Sequence, residues 1–169
     1  VELTDITVQA DSSYVGGMAA LIGNSDNANQ GKVKNITLTG TPELDENGVM
    51  TGSTTSITGK DTWVGGVAGC IRETIGTGSA AANDGVTVTG CYVSGRGSVV
   101  GGIFGSEQSA WGYHLSISDS LVKGETPPRK GSFYGIGGAI GDKAWNASIS
   151  WADANNVRVE STAHYDVGG

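Results

Sequence analysis

A glycine pair set in the same short phrase returns along the chain: Val15-Gly16-Gly17-Met18, Val64-Gly65-Gly66-Val67, Val100-Gly101-Gly102-Ile103 and Ile136-Gly137-Gly138-Ala139. A fifth phrase begins at Val167-Gly168. Repetition constrains a fold before any single residue does, because each unit must bury its apolar face against its neighbours. Counted between first glycines, the spacings are 49, 36, 36 and 31 residues, within the range of solenoids, propellers and arrays. The long first spacing predicts an insertion at 41–59, where Pro42, the acidic run Glu43 to Gly48 and Gly52 to Ser56 read as loop or a small extra hairpin. Repeat units then run roughly 14–61, 62–97, 98–133 and 134–165, and the ends fall inside partial repeats.

A second element follows each glycine pair. It reads Val33 to Gly40, Val86 to Gly95 and Leu115 to Gly124, with a looser version at Ala147 to Trp151 and Asn156 to Glu160. Apolar and hydroxyl residues alternate with period two, the pattern of a half-buried strand. Superposing these elements brings Asp5, Gly90, Asp119 and Asn156 to one position. Those residue types accept left-handed backbone, so a bend between two strands is expected there in every repeat. The glycine pairs (Gly16, Gly17, Gly65, Gly66, Gly101, Gly102, Gly137, Gly138) are scaffold, needed either for positive φ at a corner or for close approach between stacked units. The expected fold is all-β, a β-solenoid of about four to five coils forming one segment over 1–169.

Charge excludes some functions. The net charge is −7 and the basic residues are scattered, whereas a nucleic-acid surface needs clustered Lys and Arg. No apolar run approaches the roughly 20 residues of a membrane span. Cys70 and Cys91 fall in one repeat, either as two small buried side chains or as a disulfide. No metal-binding or cofactor motif is present, and the oxygen-rich stretches Asp26 to Asn29 and Asp45 to Gly48 read as solvated turns.

The repeated Val-Gly-Gly-x-x-Gly phrase with its Thr/Ser-rich strand resembles the GLUG-type repeats of large bacterial surface and secreted proteins. The residues that carry it are Trp63 to Gly69 with Val86 to Gly95, and Val99 to Gly105 with Leu115 to Gly124. Ala20 replaces the last glycine in the first unit, and the fourth unit is irregular around Trp145 to Asn156. The resemblance implies a β-solenoid from a cell-surface, adhesin-like protein, or a non-catalytic region of a secreted bacterial enzyme; in the first case the segment is extracellular and adhesive or structural. It would pack against neighbouring repeats of the same or identical chains and take a glycan or host-surface ligand. It carries over no catalytic residues.

Other chemistries leave weaker traces. A polysaccharide-cleaving β-helix would draw on Glu107, Asp119, Asp142 and Asp153, with Lys123 or Arg158 as cationic partners. The two histidines, His114 and His164, sit in no nucleophile motif. Trp111, Tyr113, Trp145 and Trp151 fall in connections between elements, where a stacked aromatic strip would suit sugar rings.

Overall fold

The computed structural model describes residues 1–23, 32–60, 63–78, 84–96, 99–108, 111–125, 135–143, 148–161 and 167–168. Among these the chain is all-β, with strands and no helix. Among the described residues, every strand outside the insertion pairs in parallel with an equivalent strand of a neighbouring repeat, in four main ladders and a short one that joins Lys32–Val33, Thr74–Ile75 and Gly112.

The first ladder joins Glu2–Thr4, Ile36–Thr39, Val86–Thr89, and the leading parts of Trp111–Gly124 and Ser148–Ser161. The second joins Thr7–Ala10, Thr55–Gly59, Cys91–Gly95 and the trailing parts of the same two long strands. The third contains the start of each glycine phrase: Tyr14–Gly16, Trp63–Gly65, Val99–Gly101, Gly135–Gly137 and Val167–Gly168. The fourth follows each glycine pair: Ala19–Ile22, Ala68–Ile71, Phe104–Glu107 and Ile140–Lys143.

The period-two alternation sorts side chains as the sequence predicts. Ile36, Leu38, Val86, Val88, Leu115 and Ile117 are buried, and the intervening Thr37, Thr87 and Ser116 are partly exposed. Val15, Val64 and Val100, in register on the third ladder, join Ile57, Val93 and Val122 of the second in the same buried cluster. Burying a Val, Leu or Ile side chain contributes about 1.5–3 kcal/mol, so this continuous apolar column is the main stabilising term.

The bend lies where the superposition places it. Asp5, Gly90, Asp119 and Asn156 have φ of 53°, 65°, 48° and 53°. The residue after the bend completes the local hydrogen bonding. Thr55 Oγ1 donates to the Thr39 carbonyl at 2.6 Å, and Ser120 Oγ donates to the Ser118 carbonyl at 2.7 Å. Each hydroxyl also accepts a neighbouring repeat's N–H: Ile6 to Thr55 Oγ1 at 3.3 Å, Cys91 to Ser120 Oγ at 3.0 Å. Cys91 occupies the same position, with its thiol 3.3 Å from the Thr89 carbonyl. Its role is that of a small buried donor, and no disulfide joins it to Cys70.

The glycine pairs are explained by close approach and not by positive φ, which none of Gly16, Gly65, Gly66, Gly101 and Gly102 shows. A Cβ on the first glycine of a pair would strike its own chain three residues on: at Gly65 it would lie 2.0 Å from the Ala68 carbonyl oxygen. On the second glycine it would strike the next repeat: at Gly66 it would lie 2.1 Å from the Gly102 oxygen, and at Gly102, 2.1 Å from the Gly138 oxygen.

The insertion is a hairpin, with Pro42–Leu44 antiparallel to Met50–Ser53. Thr55–Gly59, which the sequence reading places within the insertion, is instead the second-ladder strand of its repeat, because its Thr-Ser-Ile-Thr-Gly alternation buries Thr55 and Ile57.

Candidate functional site

The hairpin is held at its base and at its tip. Ser53 Oγ donates to the Gly90 carbonyl and Thr54 Oγ1 to Asp5 Oδ1, which ties the base to the bend residues of two other repeats. At the tip, Asp45 Oδ1 accepts the N–H groups of Asn47 and Val49, both at 2.9 Å, and Gly48 takes φ 75°. The N–H donors of Val49 and then Asn47 hold the Asp45 carboxyl below the ordinary 3.8.

So anchored, the hairpin overhangs the bend column and encloses a cleft of about 750 Å³. Pro42, Leu44, Val49 and Met50 line it from the hairpin. Thr89, Asp119, Ser120, Asn156 and Arg158 line it from the repeats. Asn156 Nδ2 donates to Asp119 Oδ1 at 2.7 Å, and Arg158 Nη2 is ion-paired with Glu160 Oε1. Leu44 is 59% exposed.

A second feature lies on the strand Trp111–Gly124. Trp111 and Tyr113, two residues apart, have ring centroids 6.2 Å apart, and Trp111 is half exposed. They sit within a strand, not in a connection. Their register partners in the next repeat are Ser148 and Ser150, so Trp151, also in strand Ser148–Ser161, does not continue a strip in register with them. Trp145, His164 and the stretch 26–29 lie outside the described residues. Next to Tyr113, His114 adopts φ 54°, and its Nε2 lies 3.7 Å from Asp84 Oδ1; Thr77 Oγ1 donates to Asp84 Oδ2. Elsewhere, Tyr14 and Trp63 are register partners on the third ladder, with edge-on rings 5.0 Å apart.

The acidic residues considered for hydrolysis are spread over the molecule. Glu107 is wholly buried on the fourth ladder. Asp119 is exposed at the bend, and exposed Asp153 pairs in register with Ser116. Asp142 lies in the strand Ile140–Lys143. Of the cations, Lys123 faces Glu125 at 3.4 Å, while Arg158 shares the cleft with Asp119. Asp119, Asn156 and Arg158 are thus brought together, and Glu107, Asp153 and Lys123 are not. Among the described residues, no group of three His, Cys, Asp or Glu side chains is placed to hold a metal ion.

Sequence reasoning missed the apolar face of the hairpin. The signal was present in Asn47-Gly48, a hairpin turn pair, flanked by Pro42 and Leu44 on one side and Val49 and Met50 on the other. Comparison with known proteins finds no matching family model, no matching curated protein and no matching solved structure.

Proposed function

We propose that this chain is a parallel β-solenoid of about four to five coils, acting as a non-catalytic structural and adhesive element on the outside of a bacterial cell. The observation that carries the reading is the register. Glycine pairs, bend residues and apolar positions each stand beside their equivalents one repeat away, so each unit is completed by its neighbours. That is the economy of a rod whose repeats contact only adjacent repeats. Among the described residues, Glu2–Thr4, Thr7–Ala10, Tyr14–Gly16 and Ala19–Ile22 form sheet edges, a surface suited to further repeats of the same or identical chains. The surface location rests on the resemblance to GLUG-type repeats.

Negative-stain imaging with light scattering across a concentration series tests the assembling form of this proposal. End-to-end particles that lengthen with concentration support it, and a monomer that persists at high concentration overturns it. Release of reducing ends or unsaturated products from acidic polysaccharides would overturn the non-catalytic reading. The half-exposed Trp111 beside Tyr113 favours one alternative, a carbohydrate-binding module built on that aromatic pair.

A further inference from the structure

The cleft beneath the hairpin exists because the departure from the repeat at 41–54 overhangs the bend column, so the hairpin supplies one side and the repeats supply the other. In repeat folds such insertions gather on one face, often the binding face. Its volume of about 750 Å³ falls within the roughly 300–1,000 Å³ of small-molecule sites. The bend column shapes the floor. Gly40 and Gly90 present bare backbone beneath the hairpin, and Asp119 and Asn156 place side chains at the same register position in the next two repeats.

The two walls ask for a ligand with two sides. The hairpin wall is aliphatic, through Leu44 and Met50. On the opposite wall a carboxylate only accepts hydrogen bonds, a guanidinium only donates, and an amide does both. An acyl chain would leave that polar wall unmatched, and a ligand of either charge would meet Asp119 or Arg158 as a like charge. A neutral molecule with one C–H face and an edge of adjacent hydroxyls satisfies both walls, since each hydroxyl both donates and accepts.

We propose that the cleft binds a neutral sugar residue of a glycan, with its C–H face on Leu44 and Met50 and its hydroxyl edge on Asp119, Asn156 and Arg158. This site is separate from the Trp111–Tyr113 pair and does not depend on whether the repeats assemble.

A glycan array probed with the full chain, followed by calorimetric titration of each bound glycan, tests the assignment. Asp119→Gly removes the carboxylate and keeps the bend, because Gly90 holds the same position at φ 65°. Leu44→Asp changes an exposed side chain. Each variant is expected to weaken binding by about tenfold or more, and Trp111→Ala to leave it unchanged. Binding that survives Asp119→Gly and is lost in Trp111→Ala would put the glycan on the aromatic pair and overturn the cleft assignment. Absence of binding to any neutral glycan at millimolar concentration would overturn it as well.

Discussion

Gly102→Ala is a substitution that the stacking of repeats forbids. The new methyl carbon would stand 2.1 Å from the Gly138 carbonyl oxygen, 2.2 Å from Ile117 Cδ1 and 3.1 Å from Val122 Cγ2. Ile117 and Val122 are fully buried, so neither has solvent to turn into. The Gly138 oxygen is backbone and moves only with its ladder, where Gly102 N–H donates to the Gly137 carbonyl at 3.4 Å. Overpacking a core costs about 1–3 kcal/mol, and leaving a buried backbone group without its partner about 1–3 more. The expected loss is therefore about 2–6 kcal/mol, a large share of the roughly 5–15 kcal/mol that holds a typical domain.

Two controls grade the effect. At Gly78 a methyl group would meet the Tyr113 ring at 3.7 Å, an ordinary contact, so Gly78→Ala should change stability by less than about 0.5 kcal/mol. At Gly48 nothing lies within 4 Å but φ is 75°, so Gly48→Ala should cost about 1–2 kcal/mol through backbone strain alone. Urea unfolding followed by far-ultraviolet circular dichroism reads all three. With m of about 1–3 kcal/mol/M, Gly102→Ala should lower the midpoint by about 0.7 M or more, or prevent folding. A Gly102→Ala midpoint equal to that of Gly78→Ala would refute the close-approach argument.

Four further outcomes follow from the geometry. Cys91→Ser should stay within about 1 kcal/mol of the parent in urea unfolding, since Ser120 fills the equivalent position in the next repeat; Cys91→Val, which removes the thiol donor and adds a branched side chain at a fully buried position, should cost more. Burial pushes the Cys91 thiol from 9.0 up to about 12, so alkylation at pH 8 should be slow in the folded protein and fast in urea. Because the folded value lies above the unfolded one, the stability linked to this group is complete below pH 9 and declines as pH rises towards 12; unchanged urea midpoints across that range would contradict it. The Asp45 carboxyl is held below 3.8 in the folded hairpin, so its support of the tip is present above that pH and lost as pH falls through the lower folded value. Amide shifts of Asn47 and Val49 should titrate with a midpoint below 3.8, and a midpoint at or above 3.8 would contradict the turn geometry.

What could be read from sequence was whatever one residue type must do by itself. The bend at Asp5, Gly90, Asp119 and Asn156 was legible because few residue types accept left-handed backbone. A second left-handed position, at Asn35 with φ 55° and His114 with φ 54°, was not read because its two residues are unlike and no residue type recurs there along the chain. The glycine pairs were legible as scaffold, but their two candidate reasons differ only in how close the neighbouring repeat comes, which is a tertiary quantity. Thr55–Gly59 resembled turn composition, and only its in-register partners Thr7–Ala10 and Cys91–Gly95 show it to be a core strand. The cleft joins Leu44 to Arg158 across more than a hundred residues, and no local pattern reports how far a hairpin leans.

The central claim is that equivalent residues of successive repeats stand side by side in parallel. Glu2, Thr37, Thr87, Ser116 and Asp153 form one such row. Neighbouring strands lie about 4.8 Å apart, so Glu2 and Asp153, at the two ends of the row, should be only about 19 Å apart. Spin labels at Glu2→Cys and Asp153→Cys, in a Cys70→Ala and Cys91→Ser background, measure that separation by pulsed electron resonance. A single narrow distribution near 20 Å is the predicted result, and a broad distribution, or one centred beyond about 35 Å, would contradict the stacked register.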